Sequence, residues 1–360
     1  MNPTALAARL GTSLPLLQAP MAGAQGSALA LAVGGAGGLG ALPCAMLAPD
    51  ALRAELQVLQ ASGRPYNVNF FCHQPPEPDA AREAAWRAAL APYYAEYGLD
   101  VSAVPAGPGR RPFDAESAAL LAEFRPRVVS FHFGLPAPEL LAHVKNLGAL
   151  VLSSATTLRE ALWLQEHGAD AVIAQGLEAG GHRGHFLSMD LGEQLGTFAL
   201  VPQLVTALRV PVIAAGGIAD AAGVRAALAL GAAGVQVGTA YLCSNEALTS
   251  PLHRAALQSE AARHTALTNL FTGRPARGIV NRLMRELGGS AAEHFSTGLG
   301  AAAPAFPLAT AAIGPLRAAA EKTGRTDFTS LWSGQNASGC KSLPAAQITQ
   351  ALAQGFDGLR

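Results

Sequence analysis

Charge is scarce in this chain of 360 residues: Lys, Arg, Asp and Glu make up 14%, and the 25 bases balance the 25 acids. A net charge of zero leaves no basic field to draw in nucleic acid or acidic lipid. The expected partners are therefore small molecules, and the chain itself as a monomer or homodimer. Cysteine is nearly absent, and Cys44, Cys72, Cys243 and Cys340 form no CxxC pair. Neither a zinc site nor a disulfide framework is expected, and a reduced cytoplasm fits best. There is no carboxylate cluster for metal or glycosidic chemistry. A clean apolar span is missing too. No charge occurs between Arg9 and Asp50, but Pro15, Pro20, Pro43 and repeated glycines interrupt that stretch and no basic segment precedes it. It reads as buried strands and a tight helix rather than a membrane span or leader. Gly35, Gly37 and Gly40 spell GxGxxG, yet they lead into a strand instead of following one, which excludes a Rossmann site. No P-loop or GxSxG elbow is present.

Glycine and small apolar residues are abundant, and the segment Pro211–Thr239 concentrates them. A β-branched run from Val210 to Ile213 meets Gly216 and Gly217. Apolar Val224, Leu228 and Ala232 follow at helical spacing, and a second short run ends in Gly238 and Thr239. This is one strand–helix–strand unit of a parallel sheet, with glycines where a phosphate can approach main-chain N–H groups and a helix N-terminus. The same alternation runs through the chain. Strands are expected at Leu14–Met21, Gly38–Pro43, Asn67–Phe71, Arg127–Phe131, Ala149–Ser153, Ala169–Ala174, Val210–Ala214 and Gly234–Val237, with helical patterns between them. Eight strands alternating with helices predict an α/β (β/α)8 TIM barrel. Residues 1–72, 113–243 and 308–360 are expected to form it. Residues 73–112, with Trp86, Tyr93, Tyr94 and Tyr97, are expected to be a lid insertion. Residues 244–307 are expected to be a small helical subdomain on the substrate side.

Active sites of such barrels lie at the C-terminal strand ends. Here those ends carry Ala19-Pro20-Met21, Pro43-Cys44, Asn69, His132, Ser153-Ser154, Gln175, Gly216-Gly217 and Gly238-Thr239. This rim is poor in charge and rich in hydrogen-bonding groups. The loop GLEAGGHRGH after Gln175, together with Gly216, Gly217 and the run Gln236 to Thr239, is expected to bind a phosphate near the last two strands. His132, at a strand end between aromatic residues, is the candidate base or anion partner, since an unperturbed imidazole titrates near neutrality. His182 and His185 make an H-x-x-H pair without a third ligand, so cofactor or substrate contact is expected there and no metal.

Taken in order, QAPMAG (18–23), GGLGALP (37–43), NVNFF (67–71), FHFG (131–134), QGLEAGGHRG (175–184), AAGGIAD (214–220), QVGTAYL (236–242) and WSGQ (332–335) resemble class I nitronate monooxygenases. The resemblance implies an FMN-dependent barrel that oxidises an alkyl nitronate with O2 to a carbonyl compound and nitrite. It places flavin contacts on Asn69, Gln175, Gly180, Gly181, Gly216, Gly217, Gln236, Val237, Gly238 and Thr239, with Ala19, Pro20 and Met21 along the flavin face. His132 falls on the family's active-site histidine, and His182 and Phe306 fall in the substrate pocket, the aromatic insertion joining Phe306 as its wall. One departure is Phe306 itself, where the family's PxYP segment has tyrosine and this chain reads PAFP. Propionate 3-nitronate is the substrate the family suggests, and its carboxylate raises the question of the basic run at Arg274, Arg277 and Arg282. The alternative is an NAD(P)H-dependent flavin reductase of the enoyl-acyl-carrier or quinone type, which shares the barrel and the EAGGH-like loop. A non-catalytic barrel that binds a phosphate ligand is a third reading.

Overall fold

A computed structural model describes residues 2–104, 109–288 and 303–358. Parts of the expected lid loop (105–108) and of the expected subdomain (289–302) lie outside the described residues. All eight expected strands form: β1 (Leu16–Gln18), β2 (Gly40–Pro43), β3 (Tyr66–Phe71), β4 (Val128–His132), β5 (Leu150–Ala155), β6 (Ala171–Gln175), β8 (Val212–Ala215) and β9 (Gly234–Val237). They are parallel, in the order β1-β9-β8-β6-β5-β4-β3-β2. The two ends of that sheet meet. Leu17 bridges Leu39, Leu39 N–H donates to Leu16 O at 2.8 Å, and Gln18 N–H donates to Leu39 O at 2.9 Å. The result is a (β/α)8 barrel.

Strand periodicity divides each strand between two cores. Val172 and Ala174 on β6, and Val212 and Ala214 on β8, face the helices, where Leu200, Val201 and Leu204 cover them. Their neighbours Ile173, Ile213 and Ala215 point inward, beside Leu17, Leu39 and Leu152. Helix Pro3–Leu10 adds Leu6 and Leu10 to this inner cluster. Asn2 caps that helix by accepting from Ala5 N–H at 2.9 Å, Pro3 fits its first turn, and Gly11 at φ 77° ends it. The apolar residues thus fill the lower barrel, and the inward polar residues are left at the upper rim.

Outside the barrel the structure departs from expectation. Residues 244–307 were expected to be helical, but β10 (Thr265–Thr268) and β11 (Ala276–Ile279) form an antiparallel pair. Strand β11 also pairs with β7 (Gly181–His182), which anchors the glycine loop. The runs are four residues each and flank a turn at Gly273, too short for their period to separate strand from helix. The aromatic residues of the insertion are a core, not a pocket wall. Trp86, Leu90, Tyr93 and Tyr94 of helix Ala80–Glu96 pack against Ile313, Leu316 and Phe328. Trp86 Nε1–H donates to Ala309 O at 3.4 Å, and Tyr94 O–H donates to Ala312 O at 2.6 Å. Helix Thr310–Lys322, expected with the barrel, therefore packs on the insertion, while helix Ala345–Ala353 packs on the barrel through Ile348 and Leu352.

Candidate active site

A cleft of about 450 Å³ opens at the C-terminal ends of the strands. Inward parity selects its polar lining. Val68 and Phe70 of β3, Val129 and Phe131 of β4, and Val235 and Val237 of β9 are buried against helices. Asn69, Ser130, His132 and Gln236 alternate with them and line the cleft, as Gln175 does on β6. Ala19, Pro20, Met21, Gly180, Gly181, His182, Gly216, Gly217, Gly238 and Thr239 also line it. Two expected residues do not. Val237 belongs to the outer core, since it has the opposite parity to Gln236. Phe306 lies one layer back, packed on Phe71, Phe133 and His182 at ring-centre distances of 6.1, 5.6 and 5.3 Å.

At one end the lining is main chain. The N–H groups of Gly180, Gly216, Gly217 and Gly238 donate to no group among the described residues. Gly216 and Gly217 have φ 116° and 75°, a region that turns successive amides toward one point and that side-chain-bearing residues avoid. Gly180 is fixed by close approach: a Cβ there would lie 2.5 Å from Gly334 N and 2.6 Å from Ser333 C. The following helix, Ala221–Ala229, does not share in this, because Asp220 caps it and accepts from Gly223 N–H at 2.8 Å. The expected helix-terminus contribution is thus replaced by glycine turns. Loop Gly334–Cys340 closes this end. Gly334 N–H donates to Thr239 Oγ1 at 3.0 Å, and Asn336 Nδ2 donates to Gly217 O at 3.0 Å. Buried Gln236 Oε1 has no partner among the described residues, so its amide is free for a polar ligand between the two ends.

At the other end the lining is side chain. His132 Nε2 contacts His182 O at 3.2 Å and Nδ1 contacts Ser154 Oγ at 3.1 Å. A carbonyl only accepts, so Nε2 carries the hydrogen and Nδ1 accepts from the serine. Both nitrogens are committed. Burial pushes the His132 pKa down to about 3, Arg274 and Arg183 adding to it against the pull of the His182 carbonyl. The ordinary imidazole value expected for a base is not available at His132. His182 differs. Its Nε2 meets Thr272 Oγ1 at 2.9 Å, and that hydroxyl donates onward to Arg274 O at 3.3 Å. Nε2 therefore donates, and the Nδ1 lone pair has no partner among the described residues. Burial holds this ring well below its usual pKa, with Arg110, His132, Arg274 and His73 nearby. Gln175 braces the same loop, donating to His182 O at 2.9 Å and accepting from Gly184 N–H at 2.7 Å. His185 is buried outside the cleft lining, with neither ring nitrogen bonded among the described residues.

Arg274 and Arg110 lie near His182, and Arg274 and Arg183 near His132. Arg274 stacks 3.9 Å above the Phe133 ring, and burial pulls its pKa down to about 10. Arg110 lines the cleft, donates to Thr310 Oγ1 at 3.1 Å and lies 5.6 Å from the centre of Phe306. Its pKa is lowered by burial and by Arg317, also in the lining. Of the basic run expected to meet solvent or a carboxylate, Arg277 instead donates to Leu177 O at 2.8 Å and Arg282 pairs with Glu96. Sequence reading missed Ser130, Arg110 and Arg317. Ser130 had a signal, since it shares parity with His132; the two arginines come from segments outside the barrel and had none.

The chain matches the family model for nitronate monooxygenase over residues 4–355. It belongs to the nitronate monooxygenase family. A nitronate monooxygenase from Paraburkholderia phytofirmans is 42% identical, with 99% of this chain and 97% of that relative covered. One from Pseudomonas aeruginosa is 39% identical over 97% and 98% of the two chains. Among solved structures, a nitroalkane oxidase from Streptomyces ansochromogenes aligns with TM-score 0.85 at 37% identity, covering 98% of this chain and all of that one. FabK from Thermotoga maritima aligns with TM-score 0.71 at 26% identity over 99% and 96%. The chain is thus an enzyme of the nitronate monooxygenase family on a TIM barrel. No helix among the described residues is long and apolar enough to cross a membrane.

Proposed function

We propose that this enzyme binds FMN and oxidises alkyl nitronates with O2 to a carbonyl compound and nitrite. One observation carries the reading: four glycine N–H groups at one end of a single cleft, unbonded among the described residues, face an imidazole lone pair likewise unbonded and cationic side chains at the other. The chain's own groups fit the cofactor. Gly180, Gly216, Gly217 and Gly238 would hold its phosphate, Asn69 and Gln236 its polar edge, and Ala19, Pro20 and Met21 its apolar face. Bound there, FMN supplies the electron acceptor for the nitronate and the route of electrons to O2.

A nitronate arrives already deprotonated, so the protein has mainly to bind an anion beside the flavin. Arg110, Arg274 and Arg317 make this end electropositive without a charged histidine. The His132 N–H holds the His182 carbonyl and so fixes the loop that carries the second histidine. For a neutral nitroalkane the acceptor of the α-proton is His182 Nδ1, not His132, whose nitrogens are both engaged. Arginines around His182 disfavour the imidazolium that would result, so nitronates are the better substrates. Arg110 and Arg317, without a carboxylate partner among the described residues, suit a nitronate that also carries a carboxylate, such as propionate 3-nitronate.

An absorbance spectrum of the purified protein, followed by nitronate addition in air, tests the reading. Flavin bands, O2 uptake and nitrite are expected. A colourless protein that takes up no FMN defeats it. Rapid anaerobic bleaching by NADPH, with no nitrite from nitronates, moves the assignment to the reductase class that FabK represents by fold.

A further inference from the structure

Two of the four cysteines meet beside the glycine cradle, and the reaction proposed above uses neither. Cys243 follows the turn Thr239–Tyr241 and is fully buried, while Cys340 sits half-buried in loop Gly334–Cys340. Both belong to one apolar cluster with Leu242, Ile279 and Leu331, Cys340 packing against the part that holds Cys243. Cys340 Sγ–H donates to Thr239 O at 3.0 Å, and Thr239 Oγ1 is the atom that receives Gly334 N–H. The thiol pair therefore spans the two segments that close the cradle. Arg254 places its guanidinium beside Cys243, donating to Cys243 O at 2.6 Å and Ser244 O at 2.8 Å. A fixed positive charge so placed favours the Cys243 thiolate. Cys44 and Cys72 have no such setting, and burial pushes both thiols up.

We propose that Cys243 and Cys340 form a reversible intramolecular disulfide in response to hydrogen peroxide, locking loop Gly334–Cys340 over the cofactor-phosphate cradle. The Cys243 thiolate attacks one peroxide oxygen and becomes a sulfenic acid, releasing hydroxide, which takes up a proton to become water. The Cys340 sulfur then attacks that sulfur, and its proton leaves with the sulfenic hydroxyl as a second water. Two thiols are oxidised and one peroxide is reduced to two waters. A dithiol reductant reverses the bond by exchange. The locking rests on the FMN reading; the disulfide does not.

Peroxide treatment of the purified holoenzyme, followed by removal of the peroxide, tests both parts. Thiols titrated after unfolding fall from four to two. Intact mass falls by about 2 Da for one disulfide. Peptide mapping joins Cys243 to Cys340, dithiothreitol restores all four thiols, and Cys340→Ser forms no disulfide. Flavin fluorescence after dilution shows slower cofactor release from the oxidised than from the reduced enzyme, a difference lost in Cys340→Ser. Four remaining thiols, or a bond between any other pair, overturn the disulfide. Equal flavin release from both forms overturns the locking. A protein that takes up no FMN overturns the cofactor reading and the locking together, while the thiol count still decides the disulfide.

Discussion

The two ends of the cleft are built from different material. The glycine end offers main-chain N–H groups whose positions are set by turns and by the close approach of Gly180 to Gly334. The histidine end offers side chains, each oriented by another group: His132 by Ser154 and the His182 carbonyl, His182 by Thr272, Arg110 by Thr310. Main-chain donors survive most substitutions nearby but cannot tolerate an added Cβ. Side-chain donors accept neighbouring bulk more easily but fail when a supporting hydroxyl is removed. The first end reads a group common to many ligands, and the second reads what is particular to one substrate.

The largest effect is expected where the first end is filled. Gly180→Val forces a side chain against backbone on the facing loop, and overpacking of about 2–3 kcal/mol would weaken cofactor binding up to ~100-fold. Titration of the apoprotein with FMN measures it, and unchanged affinity would show that the cradle lies elsewhere. At the second end, His182→Asn is expected to lower kcat/KM for neutral nitroalkanes by about 10²–10⁴, the usual worth of a positioned base, and to affect nitronates far less. Equal losses on both substrate forms would assign His182 to binding alone. Arg110→Met should raise KM for a carboxylated nitronate about tenfold with kcat retained, as loss of one charge-assisted hydrogen bond does, and leave simple alkyl nitronates unchanged.

Acid should separate the ends by stability. His73 and His253 are pushed down to about 4, and His132 and His185 to about 3, chiefly by burial. Between those values and about 6.5 the unfolded chain binds more protons than the folded one. Stability is therefore fully present above pH 6.5 and is lost as pH falls toward 3. A thermal midpoint that drops from pH 7 to pH 4, less steeply in His132→Asn, is expected; a pH-independent midpoint would contradict the buried neutral rings. The smallest effect belongs to Ser154→Ala, which removes the donor to His132 Nδ1 at a cost of about 1 kcal/mol. A few-fold fall in nitronate kcat/KM is the expected readout.

The barrel and most of its rim were legible because strand parity is a property of the local chain. Once Val68, Val129 and Val235 are buried against helices, Asn69, Ser130 and Gln236 have to point into the barrel mouth. The same rule would have excluded Val237 as a side-chain contact. Beyond the barrel the sequence carried less. The runs Thr265–Thr268 and Ala276–Ile279 have no distinguishing period, so their strand pairing depended on partners remote in the chain, including Gly181 and His182. Nor could it show that the aromatic residues of helix Ala80–Glu96 bury themselves against Ile313 and Phe328 instead of facing the cleft.

By itself, then, the sequence determined the eight strands, the inward polar set and the glycine turns, all consequences of spacing within a few residues. Only the tertiary structure decided which of His132 and His182 keeps a free lone pair. That choice depends on a carbonyl, Ser154 and Thr272 brought together from separate loops and strands. It also decided that Arg110 and Arg317 reach the cleft and that Cys243 meets Cys340. Contacts of that kind are made by chain closure over long separations, which local propensity and periodicity do not encode.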